Sequence, residues 1–209
     1  MPKTRKPRKM ARKAIAAEAK AANALAPRRK PQAKVVDAVG QLGDQPELRT
    51  VSGLVIATGL LTANRRLVRA GVRMLLAHEI ATLAKNLIKR RIDRTRPHSA
   101  RSHSDRVVKP GRHTAKTMTS FPSGHSAGSV AVARAFGREY PQHQAPAVAA
   151  AAVVAALQVP RLNHFPTDVA AGIALGVASE AAADLVMRLG ERLEEAATPE
   201  APPRPPPRA

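Results

Sequence analysis

Between residues 51 and 193 the apolar residues come in five blocks with helical spacing, and no block alternates apolar with polar residues as a half-buried strand does. Val51–Ala63 is a continuous apolar run with Gly53 and Gly59 inside it. In Leu67–Ile88 the residues Leu67, Gly71, Met74, Leu75, His78 and Leu83 recur at three-to-four spacing. Ser123–Tyr140 follows Phe121-Pro122, and Ala145–Val159 is nearly pure Ala and Val, ended by Pro160. Asp168–Leu193 is apolar early and charged late. Such a pattern restricts the chain to helix-on-helix packing, so the expected class is all-α, a bundle of about five core helices.

Flanking composition sets the expected domain limits. Residues 1–33 read as a basic, mostly disordered tail with a short helix at Met10–Leu25, closed by Pro27 and Pro31. Residues 34–195 form the expected helical domain, and the Pro-rich stretch 196–209 reads as a disordered tail. No N-terminal signal peptide is expected, because no apolar core follows the basic start.

Whether such a bundle lies in a membrane is open at this level. A spanning helix needs about 20 apolar residues. Val51–Ala63 and Ala145–Val159 are short of that, while Leu67–Ile88 contains Arg69, Arg73, Glu79 and Lys85. Val169–Leu189 has the length but contains Glu180 and Asp184, and charges inside a span are costly.

The net charge of +20 is concentrated in two places. Residues 1–34 hold 12 Lys/Arg against Glu18 alone, and residues 85–116 hold 11 against Asp93 and Asp105. A basic tail suits an anionic membrane surface or a nucleic acid. With one Tyr and no Trp, base-stacking platforms are scarce, so nucleic acid is the weaker reading. The absence of cysteine excludes disulfides and thiolate metal sites. His98, His103 and His113 lie near few acids, so no metal and no cofactor are expected.

Three separate stretches carry chemistry. The first, Lys89 through Pro97, spaces Lys89 and Arg96 seven residues apart; arginine offers a two-pronged fork to phosphate and lysine a point charge. Arg90, Arg91 and Arg94 in the same stretch read as a basic loop facing water or headgroups. The second, Phe121-Pro122-Ser123-Gly124-His125, reads as a loop entering a helix, where backbone N–H groups bind phosphate oxygens. Gly124 permits close backbone approach, Ser123 caps the helix or bonds the anion, and His125 is placed to protonate a leaving alkoxide. A plain serine cap beside an exposed histidine explains this stretch alone equally well. The third is His164-Phe165-Pro166-Thr167-Asp168. Pro166 favours a helix start, so Asp168 falls in the first turns, suited to accept a ring N–H of His164 and leave the other nitrogen as nucleophile. On its own that spacing is weak, and capping beside a surface histidine explains it better.

In order and together the three segments resemble the type-2 phosphatidic acid phosphatase superfamily, which also contains vanadium haloperoxidases and bacterial acid phosphatases. Its pattern is Lys-x6-Arg-Pro, then Pro-Ser-Gly-His, then Ser-Arg-x5-His-x3-Asp, matched here at Lys89, Arg96 and Pro97, at Pro122 through His125, and at His164 and Asp168. The resemblance covers about residues 50–190. It implies a metal-independent phosphatase acting on a phosphomonoester or diphosphate, of a lipid or a small molecule, through a phosphohistidine at His164. It implies that Asp168 orients His164, that His125 protonates the leaving group, and that Lys89, Arg96, Ser123 and Gly124 hold the phosphate oxygens. One departure stands out. The family's Ser-Arg falls on Leu157-Gln158, and Arg161, three residues on, is the candidate to replace the missing cation. The expected localisation is a multi-pass membrane protein, the alternative a soluble cytoplasmic bundle. Two other readings stay beside the phosphatase: a surface- or nucleic-acid-binding protein with a weakened site, and a vanadate-dependent haloperoxidase.

Overall fold

Seven helices and one short ribbon make up the computed structural model, which describes residues 5–99 and 108–197. The helices are α1 (Arg5–Leu25), α2 (Lys30–Gln41), α3 (Gln45–Leu61), α4 (Arg65–Lys89), α5 (Gly124–Glu139), α6 (Gln144–Leu157) and α7 (Pro166–Ala197). Strands β1 (Ile92–Arg94) and β2 (Val108–Pro110) pair antiparallel between α4 and α5. The all-α expectation holds, and α3 to α7 are its five core helices. The Pro-rich stretch from residue 198 onward and His103 lie outside the described residues.

Helix α5 is the hub, packed against α4, α6 and α7, while α4 also packs against α3 and α7. Its sequence explains the position. Ten of its residues, from Ser126 to Gly137, are buried, and they are Ala, Gly, Ser and Val, small enough to let neighbouring helices close in from several sides. On α7, Gly172 and Gly176 are one turn apart and face α5. A Cβ at Gly172 would lie 2.5 Å from the Ser123 carbonyl oxygen, and one at Gly176 would lie 2.5 Å from that of Ala127. Only glycine lets these two backbones approach so closely. The central cluster joins Met74, Ala77 and Ala81 of α4 to Ala127, Ala131 and Ala135 of α5 and Ala183 of α7.

Polarity runs opposite to that of an ordinary soluble bundle. Arg73, Lys85, Glu180 and Asp184 are buried, while Val51, Leu54, Leu60, Leu61, Leu83, Val153, Val177, Leu185, Val186 and Leu189 are exposed. Arg73, Glu180 and Asp184 are paired, while Lys85 reaches the cavity described below. Arg73 donates to Asp184 and, at 3.0 Å, to Glu139, and Arg138 donates to Glu180 at 2.6 Å. Pairing is what makes buried charge tolerable. Among the described residues one helix, α7, is long and apolar enough to cross a membrane by length and composition.

The N-terminal region differs from its sequence reading. Helix α1 extends from Arg5, not Met10, and α2 forms directly behind it with Pro31 in its first turn, a position proline tolerates. Ala19 and Ala22 of α1 are buried, Ala22 with Ala155, Val159 and Val169. Alanine's helix propensity favours the helix, and buried methyl groups together with Glu18, which accepts from Arg94 at 2.6 Å, dock it.

Candidate functional site

The ends of four core elements and the turn before α3 meet at one side of the bundle and enclose a cavity of about 270 Å³. Three cations reach it. Lys85 and Lys89, one turn apart on the last part of α4, both line it, as does Arg96, just beyond β1. Arg96 is fixed by its backbone N–H, which donates to the Thr117 carbonyl at 2.9 Å, and its guanidinium Nε is buried without a partner. Lys89 donates to the Thr119 carbonyl at 2.5 Å. Burial, reinforced by the charges of Arg96 and Lys85, pushes the Lys89 ammonium down to about 7. The same desolvation lowers Arg96, opposed by Asp168 and reinforced by Arg161.

Helix α5 begins at the opposite wall. Ser123 is its N-cap: the side-chain oxygen accepts from the Ser126 N–H at 3.4 Å and lies 2.8 Å from the Ser126 hydroxyl. Gly124 and His125 then line the cavity. A Cβ at Gly124 would fall 2.8 Å from Cδ of Lys85, so glycine is what lets that lysine reach the cavity. Free N–H groups of the first turn make this end electropositive.

His164 lines the cavity from the loop between α6 and α7 and is almost fully buried. Burial outweighs the neighbouring carboxylate and lowers its ring to about 4, so the imidazole is neutral at physiological pH, the form a nucleophile requires. Its Nδ1 lies 3.8 Å from Asp168 Oδ2, longer than a hydrogen bond, and is buried without a partner among the described residues. Asp168 itself is tightly held. Its Oδ2 accepts from Ser120 Oγ at 2.5 Å and from the Phe165 N–H at 2.9 Å, and its Oδ1 accepts from Arg94 at 2.6 Å. The two rings, His125 and His164, stand 6.2 Å apart between centroids, inclined at 64°.

Of the eight residues singled out from sequence, Lys89, Arg96, Gly124, His125 and His164 line the cavity; Asp168 stands behind His164, and Ser123 is turned into the α5 cap. Arg161 is turned the other way. Its Nε donates to Asp37 of α2 at 3.1 Å, its Nη1 to the side-chain Oε1 of Gln158 at 3.3 Å, and it does not line the cavity. Gln158 is fully buried, its amide donating to the Gly40 and Val154 carbonyls at 3.1 Å each.

Arg94 corrects the sequence reading most sharply. Read as a solvent-facing charge, it is buried and donates to Thr167 at 2.7 Å, to Asp168, and to Glu18 of α1 at 2.6 Å, with its guanidinium 4.6 Å above the Phe165 ring. Arg90 and Arg91 are exposed, as expected. Lys85, Ser120 and Asp44 escaped the sequence reading. For Lys85 a signal existed, since it lies four residues before Lys89 and so on the same helix face.

Three segments distant in sequence thus converge on one cationic cavity with a neutral, buried histidine, in the order the motif pattern requires. Residues 70–189, more than half of the chain, match the PAP2 superfamily profile. The chain belongs to this superfamily. A crystal structure of a transmembrane PAP2-type phosphatidylglycerolphosphate phosphatase from Bacillus subtilis shares the fold, with a TM-score of 0.60 at 22% identity, over 95% of this chain and 90% of that one. No curated protein shows significant similarity to the chain.

Proposed function

We propose that this PAP2 superfamily member is a phosphatase that removes a phosphate from a phosphomonoester or diphosphate, of a lipid, through a phosphohistidine at His164. The observation that carries the proposal is the single cavity in which Lys85, Lys89 and Arg96 face the α5 N-terminus with His164 and His125 between them. Such an arrangement attracts a phosphate dianion and stabilises the charge that spreads over its equatorial oxygens during transfer. His164, neutral and buried, attacks phosphorus. Asp168 lies behind it, and a closure of about 1 Å would bring the carboxylate to hydrogen-bond distance as the ring gains charge. His125 supplies the proton to the leaving oxygen. In the second half, His125 takes a proton from water, which attacks phosphorus and releases His164. Ser123 contributes by capping α5, and Arg161 adds positive field to the Arg96 side from outside the cavity.

Lipid as the substrate class, and a membrane as the setting, are supported by the apolar exterior of α3, α6 and α7 around a paired polar interior. Exposed Arg90 and Arg91, next to Lys89 at the site end of α4, favour the cytoplasmic face for that end. Phosphate release from phosphatidate, phosphatidylglycerolphosphate, a polyprenyl diphosphate and p-nitrophenyl phosphate, each with and without EDTA, tests the proposal. A preference for a lipid phosphate, undiminished by EDTA and inhibited by vanadate, is the expected result. Loss in EDTA restored by a divalent metal refutes it.

A further inference from the structure

One carboxylate at the rim of the cavity belongs to none of the three motifs. Asp44 is the residue ahead of α3, where an aspartate ordinarily accepts from the free N–H groups of the first turn. Here it makes no capping bond. Its Oδ1 lies instead 2.5 Å from Nε2 of His125. The turn carrying it is pressed against that histidine. A Cβ at Gly43 would lie 2.6 Å from Cγ1 of Val154 and 3.2 Å from Cβ of His125, so the turn closes to this distance only with glycine. It is also tied down from behind. The Gln158 amide donates to the Gly40 carbonyl at 3.1 Å and Arg161 pairs with Asp37 at 3.1 Å. Position 158, where the family pattern places arginine, is used in this chain to anchor the turn that delivers Asp44.

We propose that Asp44 is the positioning residue of the acid–base histidine: its carboxylate accepts the Nε2–H of His125, fixes the ring, and leaves Nδ1 to carry the proton exchanged with the leaving group. The proposal rests on the phosphatase reading above. In the transfer step the lone pair of the His164 ring nitrogen forms the N–P bond and the bond from phosphorus to the leaving oxygen breaks. The leaving oxygen keeps that electron pair and takes the Nδ1 proton of His125, which enters the step protonated on both nitrogens and leaves it neutral, its Nε2–H still on the ring and hydrogen-bonded to Asp44. In the hydrolytic step the neutral Nδ1 takes a proton from water, the hydroxyl oxygen bonds phosphorus, and the N–P electrons return to His164. The sum is ester plus water giving alcohol plus phosphate.

Leaving-group dependence isolates this role, because an alkoxide needs the proton and a nitrophenolate does not. Asp44→Asn and Asp44→Ser both keep a residue able to cap α3, so the fold is preserved while the carboxylate is removed. In the full-length protein, with an alkyl phosphate, kcat/KM, which reports the phosphoryl-transfer step, should fall at least about tenfold in both variants, toward the loss seen in His125→Ala. With p-nitrophenyl phosphate kcat/KM should stay within about threefold of wild type, since hydrolysis of the phosphohistidine, common to both substrates, does not enter it, and Asp44→Glu should recover part of the alkyl rate. Equal losses on the two substrates, no loss, or faster turnover in Asp44→Asn would overturn the proposal, the last by showing a carboxylate that merely obstructs the cavity. His125→Ala separates the two levels of argument. If it discriminates between leaving groups and Asp44→Asn does not, only the role of Asp44 fails. If His125→Ala lowers kcat/KM equally for both substrates, the acid role of His125 fails and Asp44 with it.

Discussion

Replacing Arg94 by methionine keeps most of the side-chain stem and removes the guanidinium. Three charge-assisted bonds go with it, to Thr167, Asp168 and Glu18. Asp168 is fully buried, so its Oδ1 is left without a partner, whereas Oδ2 keeps Ser120 and the Phe165 N–H. Breaking a buried ion pair from one side costs about 3–5 kcal/mol, mostly the penalty of stranding the other charge. For a chain of this size each kcal/mol moves the unfolding midpoint by about 2–4 °C, giving an expected fall of about 6–20 °C. Glu18→Gln should cost less, about 1.5–3 kcal/mol, because Arg94 then still holds Asp168. The double variant should be more stable than the sum of the two, since Glu18 no longer presents a stranded charge. Thermal unfolding of the four proteins in one detergent, followed by circular dichroism, measures all three quantities. A midpoint for Arg94→Met within about 2 °C of wild type, a shift worth no more than about 1 kcal/mol, would refute the reasoning and return Arg94 to the surface.

Two further predictions follow from the same site. Lys89, held near 7 by burial, is cationic below that pH and neutral above it, so anion binding should weaken as pH rises. Sulfate keeps its charge throughout, and its inhibition constant should therefore climb by up to roughly tenfold per pH unit above the lysine's pKa, with Lys89→Arg flattening the slope. No change between pH 6 and pH 9 would remove Lys89 from the anion site. The Gln158–Arg161 pair yields an ordering. Gln158→Ala loses two buried amide bonds and the one it accepts from Arg161, about 1.5–4.5 kcal/mol in all, whereas Arg161→Ala loses that last bond and a pair with the exposed Asp37, about 0.5–2.5 kcal/mol. Unfolding midpoints should rank accordingly, and Gln158→Arg should destabilise by forcing a longer charged side chain into a filled position. A more active Gln158→Arg would show that the position faces the phosphate after all.

The five core helices were legible because helical periodicity is a property of each segment alone, and each is long enough to display it. The small buried residues of α5 and the glycines of α7 were visible too, but not which helix they would face. What the sequence concealed is set by distant pairing. Glu18 and Arg94 are 76 residues apart, and Glu18 and Thr167, whose N–H it accepts at 3.2 Å, are 149 apart. Nothing local marks Arg94 as different from Arg90 and Arg91, so all three looked like solvated charges. The β1–β2 ribbon was illegible for another reason: three-residue strands show no alternation. It is fixed by contacts, among them Gly111, where a Cβ would fall 1.6 Å from Oδ2 of Asp93. Lys89, Arg96, His125 and His164 stood out through their spacing within motifs, whereas Asp44, a single acid before a helix, looked like an ordinary cap.

The central claim is that His164 carries the phosphate during turnover. Rapid quenching of wild-type protein with a substrate labelled in its transferred phosphate, followed by peptide mapping, tests it most directly. The account predicts an acid-labile, base-stable phosphate on the peptide containing His164, formed at least as fast as turnover, absent from His164→Ala and, with p-nitrophenyl phosphate, accumulating when hydrolysis is slowed in His125→Ala. Turnover without any protein-bound phosphate, or phosphate bound to another residue, would contradict it.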